Sequence, residues 1–151
     1  MKATRVLMVC TGNICRSPMA ELLVADYGLR RGRIVEARSA SVLGLVDKPA
    51  HRNSQAVMRE VGMDLSEHRS QPVTSELMDW ADYVLGMEIR HSAELRERYP
   101  RHDDKILLLP SFGGMMEIED PINRWRFRYR RCREEIKRCC EAFVDQLPPS
   151  V

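Results

Sequence analysis

No stretch of the sequence approaches the roughly 20 consecutive apolar residues that a membrane-crossing helix requires, so a membrane is not an expected partner. Lys2 and Arg5 stand near the N-terminus, but the apolar run behind them ends at Cys10 without a small-residue cleavage site, and no secretory leader is expected. Charge of one sign is not in excess. The 24 lysines and arginines against 22 aspartates and glutamates leave a net charge of +2, and nothing in that balance demands nucleic acid. The five cysteines are an odd number, spaced neither as a disulfide framework nor as a zinc site. That usage fits a reducing cytoplasm. Repeats, linkers, low-complexity segments and any signal of oligomeric state are missing as well. What is present, 151 residues with 44% hydrophobic and 30% charged side chains, is the composition of one globular domain over residues 1–151, large enough to bury a sizeable core.

Short apolar runs alternate with helical patterns along the chain. Val6–Val9 is unbroken and apolar, the mark of a strand covered on both faces. Ile34–Arg38, Tyr83–Leu85 and Ile106–Leu109 read as three further strands. Between them lie a helix with Leu22, Leu23 and Tyr27 that Gly28 can end, a helix over Ser54–Val61 stopped by Gly62, a short helix capped by Thr74 or Ser75, and a helix over Ser92–Tyr99 stopped by Pro100. Arg101–Asp104 reads as a solvated turn, and Gly113 to Met116 begin a long loop before Asp120. In the last helix Trp125, Tyr129, Cys132, Ile136, Cys139 or Cys140, Phe143 and Leu147 recur at steps of three and four, one continuous apolar stripe that Pro148 and Pro149 end. This alternation predicts an α/β fold: a doubly wound, four-stranded parallel sheet with helices on both faces.

The stretch Cys10-Thr11-Gly12-Asn13-Ile14-Cys15-Arg16-Ser17-Pro18 joins the first strand to the first helix. Gly12 and Asn13 tolerate left-handed backbone. Ser17 is a residue type that caps helices, and Pro18 suits a first turn. Cys10 then leaves a strand tip and Arg16 returns close to it, forming a cup. Its loop N–H groups, the helix N-terminus and the planar fork of Arg16 together suit a phosphate-like dianion. The same field favours the thiolate form of a cysteine, the form that attacks phosphorus.

Cys-x5-Arg-Ser with these flanks, continuing through Met19-Ala20-Glu21, resembles the low-molecular-weight protein tyrosine phosphatases. The resemblance implies Cys10 as nucleophile, Arg16 as phosphate clamp, Ser17 steadying the thiolate and Asn13 shaping the loop. Thr11, Gly12, Ile14 and Cys15 would complete the phosphate-binding loop. It implies no metal and no cofactor, and a phosphorylated protein as substrate. Asp120-Pro121 alone reads as an ordinary helix cap. The family carries an Asp-Pro pair shortly before its last helix, which makes Asp120 the expected general acid and base.

Two departures bear on the substrate. Ile122 follows Asp-Pro where tyrosine-directed members carry an aromatic residue, and the Ser41–Lys48 loop also lacks one. The segment Thr74–Met78 with Ala81–Met87 is similar to a bacterial branch that dephosphorylates arginine in proteins. Ile14, where that branch places threonine, instead goes with tyrosine specificity. Phosphotyrosine is therefore the expected substrate and phosphoarginine the alternative.

Other readings compete. Thioredoxin-linked arsenate reductases share the Cys-Thr-Gly-Asn opening but need relay cysteines in mid-chain, and none stands between Cys15 and Cys132. A binding module is the third class. Arg124, Arg126, Arg128, Arg130, Arg131 and Arg133 alternate with Trp125, Phe127 and Tyr129, a pattern that superficially suits nucleic acid. Helical spacing puts residues 125 and 129 on the buried stripe and leaves the arginines as a solvated face, able to attract acidic phosphoproteins. Cys15 is either a reversible disulfide partner for Cys10 or a packing residue. Cys132, Cys139 and Cys140 are expected in the helix core. His68 is either a brace for the loop or a surface turn residue, and no motif recruits His51, His91 or His102.

Overall fold

Four parallel strands form the centre of the computed structural model, which describes residues 2–149. β1 (Thr4–Cys10) pairs with β2 (Val35–Ser41) on one side and β3 (Tyr83–Gly86) on the other, and β4 (Ile106–Leu108) adds beyond β3, giving the order β2-β1-β3-β4. The apolar run of β1 is buried on both faces, as its lack of polar alternation requires. Val6, Met8 and Cys10 belong to one core, shared with α1 (Arg16–Arg30), α2 (Arg52–Arg59) and, further along the chain, a long C-terminal helix. Leu7 and Val9 belong to the other, shared with α3 (Ser75–Trp80) and α4 (Ile89–Arg98). Each such buried aliphatic side chain contributes about 1.5–3 kcal/mol, and the period of two along β1 divides that contribution between the layers.

The chain runs from β1 to its neighbour β2 and then crosses to β3 on the far side of β1. Strand order therefore reverses between β1 and β3, and the carboxyl ends of those two strands flank a crevice. The loops leaving them carry Cys10–Arg16 and Gly86–Ile89. Gly86 has a specific reason to be glycine. A Cβ there would lie 2.9 Å from Ser92 Oγ and 3.1 Å from His91 Cβ, so its absence lets the start of α4 settle on the end of β3.

Several boundaries differ from the sequence expectation. Gly28 does not end α1. It faces β2, where a Cβ would stand 2.6 Å from Val35 Cγ2, and the helix continues to Arg30. The second helix begins two residues early because His51 Nδ1 accepts a hydrogen bond from Asn53 N–H. It ends at Arg59, which leaves Val61 outside the helix and exposed. Arg101–Asp104 lies in a 3-10 turn over Pro100–Lys105. A short helix, α5 (Leu109–Phe112), precedes the long loop.

The last helix, α6 (Arg126–Asp145), buries Tyr129, Cys132, Ile136, Cys139, Cys140 and Phe143 as the stripe predicts, and Leu147 is buried just beyond its end. Trp125 is the exception. The helix starts after it, its backbone is extended (φ −70°, ψ 160°), and its side chain is 79% exposed. A residue before the first turn is not bound by the 3.6-residue period. No helix among the described residues is long and apolar enough to cross a membrane.

Candidate active site

β1 ends at Cys10 and α1 starts at Arg16, so the segment between them is the cup the sequence predicts. Asn13 is its keystone. Its φ is 59°, in the left-handed region, and three bonds hold it there. Its Nδ2 donates to Ser17 Oγ (2.8 Å), its Oδ1 accepts from Gln71 N–H (3.0 Å), and its carbonyl accepts from His68 Nε2 (2.7 Å). His51 N–H holds the next carbonyl, that of Ile14, at 2.8 Å. His68 is thus a brace of the loop rather than a surface turn residue.

Ser17 does not cap the helix. It is the second residue of α1, fully buried, with Oγ 2.9 Å from Cys10 Sγ. Because Oγ already accepts from Asn13, its own hydrogen is available for the sulfur. Cys15, at the N-cap, makes no side-chain capping bond and no acidic residue stands in the first turn. The first N–H groups of α1 therefore keep their capacity for an anion in the cup.

Arg16 is 1% exposed. Nη1 donates to Glu88 Oε2 (2.6 Å) and to the Ile118 carbonyl (2.7 Å). Nη2 lies 3.4 Å from Thr11 Oγ1 and 3.5 Å from Asp120 Oδ2. Nε is buried and meets no hydrogen-bond partner among the described residues. The guanidinium is thus pinned through one nitrogen, while the Nε–Nη2 edge, the edge that grips two oxygens of one oxyanion, is left for a ligand. Burial opposes its charge, but Cys10, Asp120 and Glu88 outweigh that and raise its pKa further. Asp120, which the sequence leaves open as a helix cap, caps nothing: α6 begins only at Arg126. Its Oδ1 accepts from Ile122 N–H (3.1 Å), which holds the carboxylate facing the same arginine edge. A thiol, a buried guanidinium with a free edge and a carboxylate therefore converge on one crevice.

A sequence model described as "Low molecular weight phosphotyrosine protein phosphatase" matches residues 5–150. The chain belongs to this family. A protein-arginine-phosphatase of Geobacillus stearothermophilus is 35% identical to it over 145 residues, covering 95% of each chain. A low molecular weight protein tyrosine phosphatase from T. tengcongensis superposes with a TM-score of 0.90 at 36% identity, covering 95% of this chain and 99% of that one. A cysteine-to-serine mutant of YwlE arginine phosphatase, solved with a phosphorylated active-site serine, superposes with a TM-score of 0.90 at 32% identity, covering 95% of both chains.

This low molecular weight phosphatase is a cysteine-dependent protein phosphatase, a class of hydrolase that acts on phosphoproteins. Its crevice also contains residues that no motif announces. Glu88 holds Arg16 from behind. Burial works against the Glu88 carboxylate, yet hydrogen bonds from Arg90 and Arg16 keep its pKa below the ordinary value. His91 is buried, and burial followed by the neighbouring Arg16 lowers its pKa to about 4, so the ring is neutral near pH 7. Its Nδ1 accepts from Glu88 N–H (3.1 Å), which places the ring proton on Nε2, 2.9 Å from Thr11 Oγ1. Arg90 donates to that same Oγ1 at 2.7 Å. The only sequence signal for this group is its position immediately after the third strand, at the reversal of strand order.

Cys15 points toward α6, its sulfur 3.7 Å from Tyr129 Oη, and burial pushes its thiol up to about 12. That is the setting of a packing cysteine. The Ser41–Lys48 loop closes one side of the cup: Val42 and Leu43 N–H groups bond the Cys10 and Thr11 carbonyls, and a Cβ on Gly12 would touch Leu45 Cδ1 at 3.3 Å. Ile14 is partly buried at the same rim. Cys132, Cys139 and Cys140 are buried in α6.

Proposed function

We propose that the enzyme hydrolyses phosphotyrosine in proteins through a phosphocysteine intermediate. Cys10 Sγ attacks phosphorus while Arg16, through Nε and Nη2, and the loop N–H groups hold the equatorial oxygens. The bond from phosphorus to the phenolic oxygen breaks, and Asp120 gives that oxygen its proton. Asp120 then takes a proton from water as the water attacks phosphorus. The P–S bond breaks, and inorganic phosphate and the Cys10 thiolate are released.

The observation that carries this reading is the unpartnered, buried Nε of Arg16 at the mouth it shares with Asp120. A buried guanidinium donor without a partner costs stability unless a ligand uses it. The phosphorylated active-site serine of the YwlE mutant supports transfer of phosphate to the enzyme. For the substrate, the rim beside the loop is apolar: Ile14, with Leu43 and Val46 exposed beyond it. Such a wall packs on a phenyl ring.

The test is kcat/KM on phosphotyrosine and phosphoarginine peptides of one sequence, with Cys10→Ser as the background. A preference for phosphotyrosine is expected. A preference for phosphoarginine would replace the substrate assignment while keeping the chemistry, and hydrolysis of neither would overturn both.

A further inference from the structure

Next to the cup lies a second concavity, of about 580 Å³, between the start of α2 and the start of α6. His51, Arg52, Asn123, Arg124, Trp125 and Arg126 are in its wall. Three arginines face this space, and their pairing sets them apart from Arg130, Arg131 and Arg133 of the arginine run. Arg130 and Arg133 each bond Glu60 at 2.9 Å, and Arg131 lies 3.4 Å from Glu135. By contrast, Arg52 pairs with no carboxylate among the described residues. Among the described residues, Arg126 bonds only the amide oxygen of Asn53 (3.2 Å), and the side chain of Arg124 has only a distant contact, 3.7 Å, with exposed Glu119. Neither α2 nor α6 has an acidic residue in its first turn, so the helix ends add to the positive potential. Trp125 stands over this space with most of its ring in solvent.

The concavity is joined to the cup at both sides. His51 is the residue whose N–H holds the Ile14 carbonyl. Asn123 lies three residues after Asp120, hence at most about 11 Å from it along the chain. A peptide bound in extended form advances about 3.3 Å per residue. A side chain two to four positions from the phosphorylated residue therefore reaches the arginines.

We infer that this concavity is a docking subsite for acidic residues of the phosphoprotein, two to four positions from the phosphorylated one, with Trp125 as a flat platform for the intervening peptide. The inference rests on the phosphatase reading above. Guanidinium forks pair with carboxylates, and a rigid exposed indole presents large contact area at low entropic cost.

The experiment compares kcat/KM for two phosphotyrosine peptides that differ only in glutamate or glutamine at positions two to four on either side, in the wild type and in an Arg52→Gln/Arg124→Gln variant. Dissociation constants for both peptides on Cys10→Ser protein are measured in parallel. About a fivefold preference for the glutamate peptide is expected, shrinking as salt rises and absent in the double variant. Equal rates and affinities for both peptides in the wild type would overturn the subsite and leave the phosphatase reading standing. Hydrolysis of neither peptide would overturn both. Tighter binding of a single-stranded oligonucleotide than of the acidic peptide, lost in the same variant, would overturn it in favour of nucleic acid.

Discussion

Asn13, Arg16 and Ser17 are at most 1% exposed, whereas Ile122 and Trp125 are 39 and 79% exposed. The first group forms the cup, where side chains are tied to one another and to three distant segments at Gln71, Glu88 and Ile118. The second belongs to the rim that follows Asp120, held locally by the bond from Ile122 N–H to Asp120 and that from Arg124 N–H to the Pro121 carbonyl. Stabilising charge on a transferring phosphoryl group requires donors fixed before the reaction. Choosing among protein substrates requires a surface that can adapt as they arrive. The crevice has a floor tied by long-range bonds and a rim tied mainly by local ones, the division that the proposed chemistry and substrate choice would each need.

Removing the sulfur breaks this comparison most severely. Cys10→Ser should abolish turnover of aryl phosphates while leaving the urea midpoint close to wild type, and turnover at the wild-type rate would end the assignment of Cys10. Asp120→Asn should lower kcat for phenyl phosphates by roughly 10²–10⁴-fold, the span of general acid catalysis, with little change in stability because the residue lies on the rim. Asn13→Ala sharpens the contrast from the other side. It removes two side-chain hydrogen bonds and leaves alanine in a left-handed conformation, which should cost about 2–4 kcal/mol in urea denaturation. A loss no larger than that of a rim substitution would show that the floor is not held as described.

The most gradual effect is on pH. His91 has a folded pKa of about 4, below its ordinary 6.5, so the unfolded chain takes up the proton first as pH falls. Its contribution to stability is complete above 6.5 and is lost as pH drops toward 4, at a rate of up to about 1.4 kcal/mol per pH unit. His91→Gln should flatten that slope in urea midpoints measured across this window. An unchanged slope would place the acid sensitivity elsewhere.

The floor was legible from the sequence because it is contiguous. Cys10, Asn13, Arg16 and Ser17 lie within one strand–loop–helix unit, and the order of the elements follows from short apolar runs such as Val6–Val9. The misreadings have physical causes. Ser17 resembles a helix cap by residue type, but the bond it makes crosses the cup to sulfur. Trp125 fits the stripe of α6 by number, yet a helix imposes its period only on residues inside it. Glu88 and His91 were invisible because their partners, Arg16 and Thr11, lie more than 70 positions away, and only the sheet order brings them together. Gly28 was read as punctuation when its meaning is contact with Val35.

Gly86 shows how far such a contact reaches. Because no methyl group stands there, α4 rests on the end of β3 and Glu88 stands behind Arg16. The setting of Arg16 thus involves a residue that lies outside the cup. A single carbon added at position 86 would crowd Ser92 Oγ and His91 Cβ at the start of that helix, so a methyl group outside the cup bears on where the counter-charge of Arg16 stands.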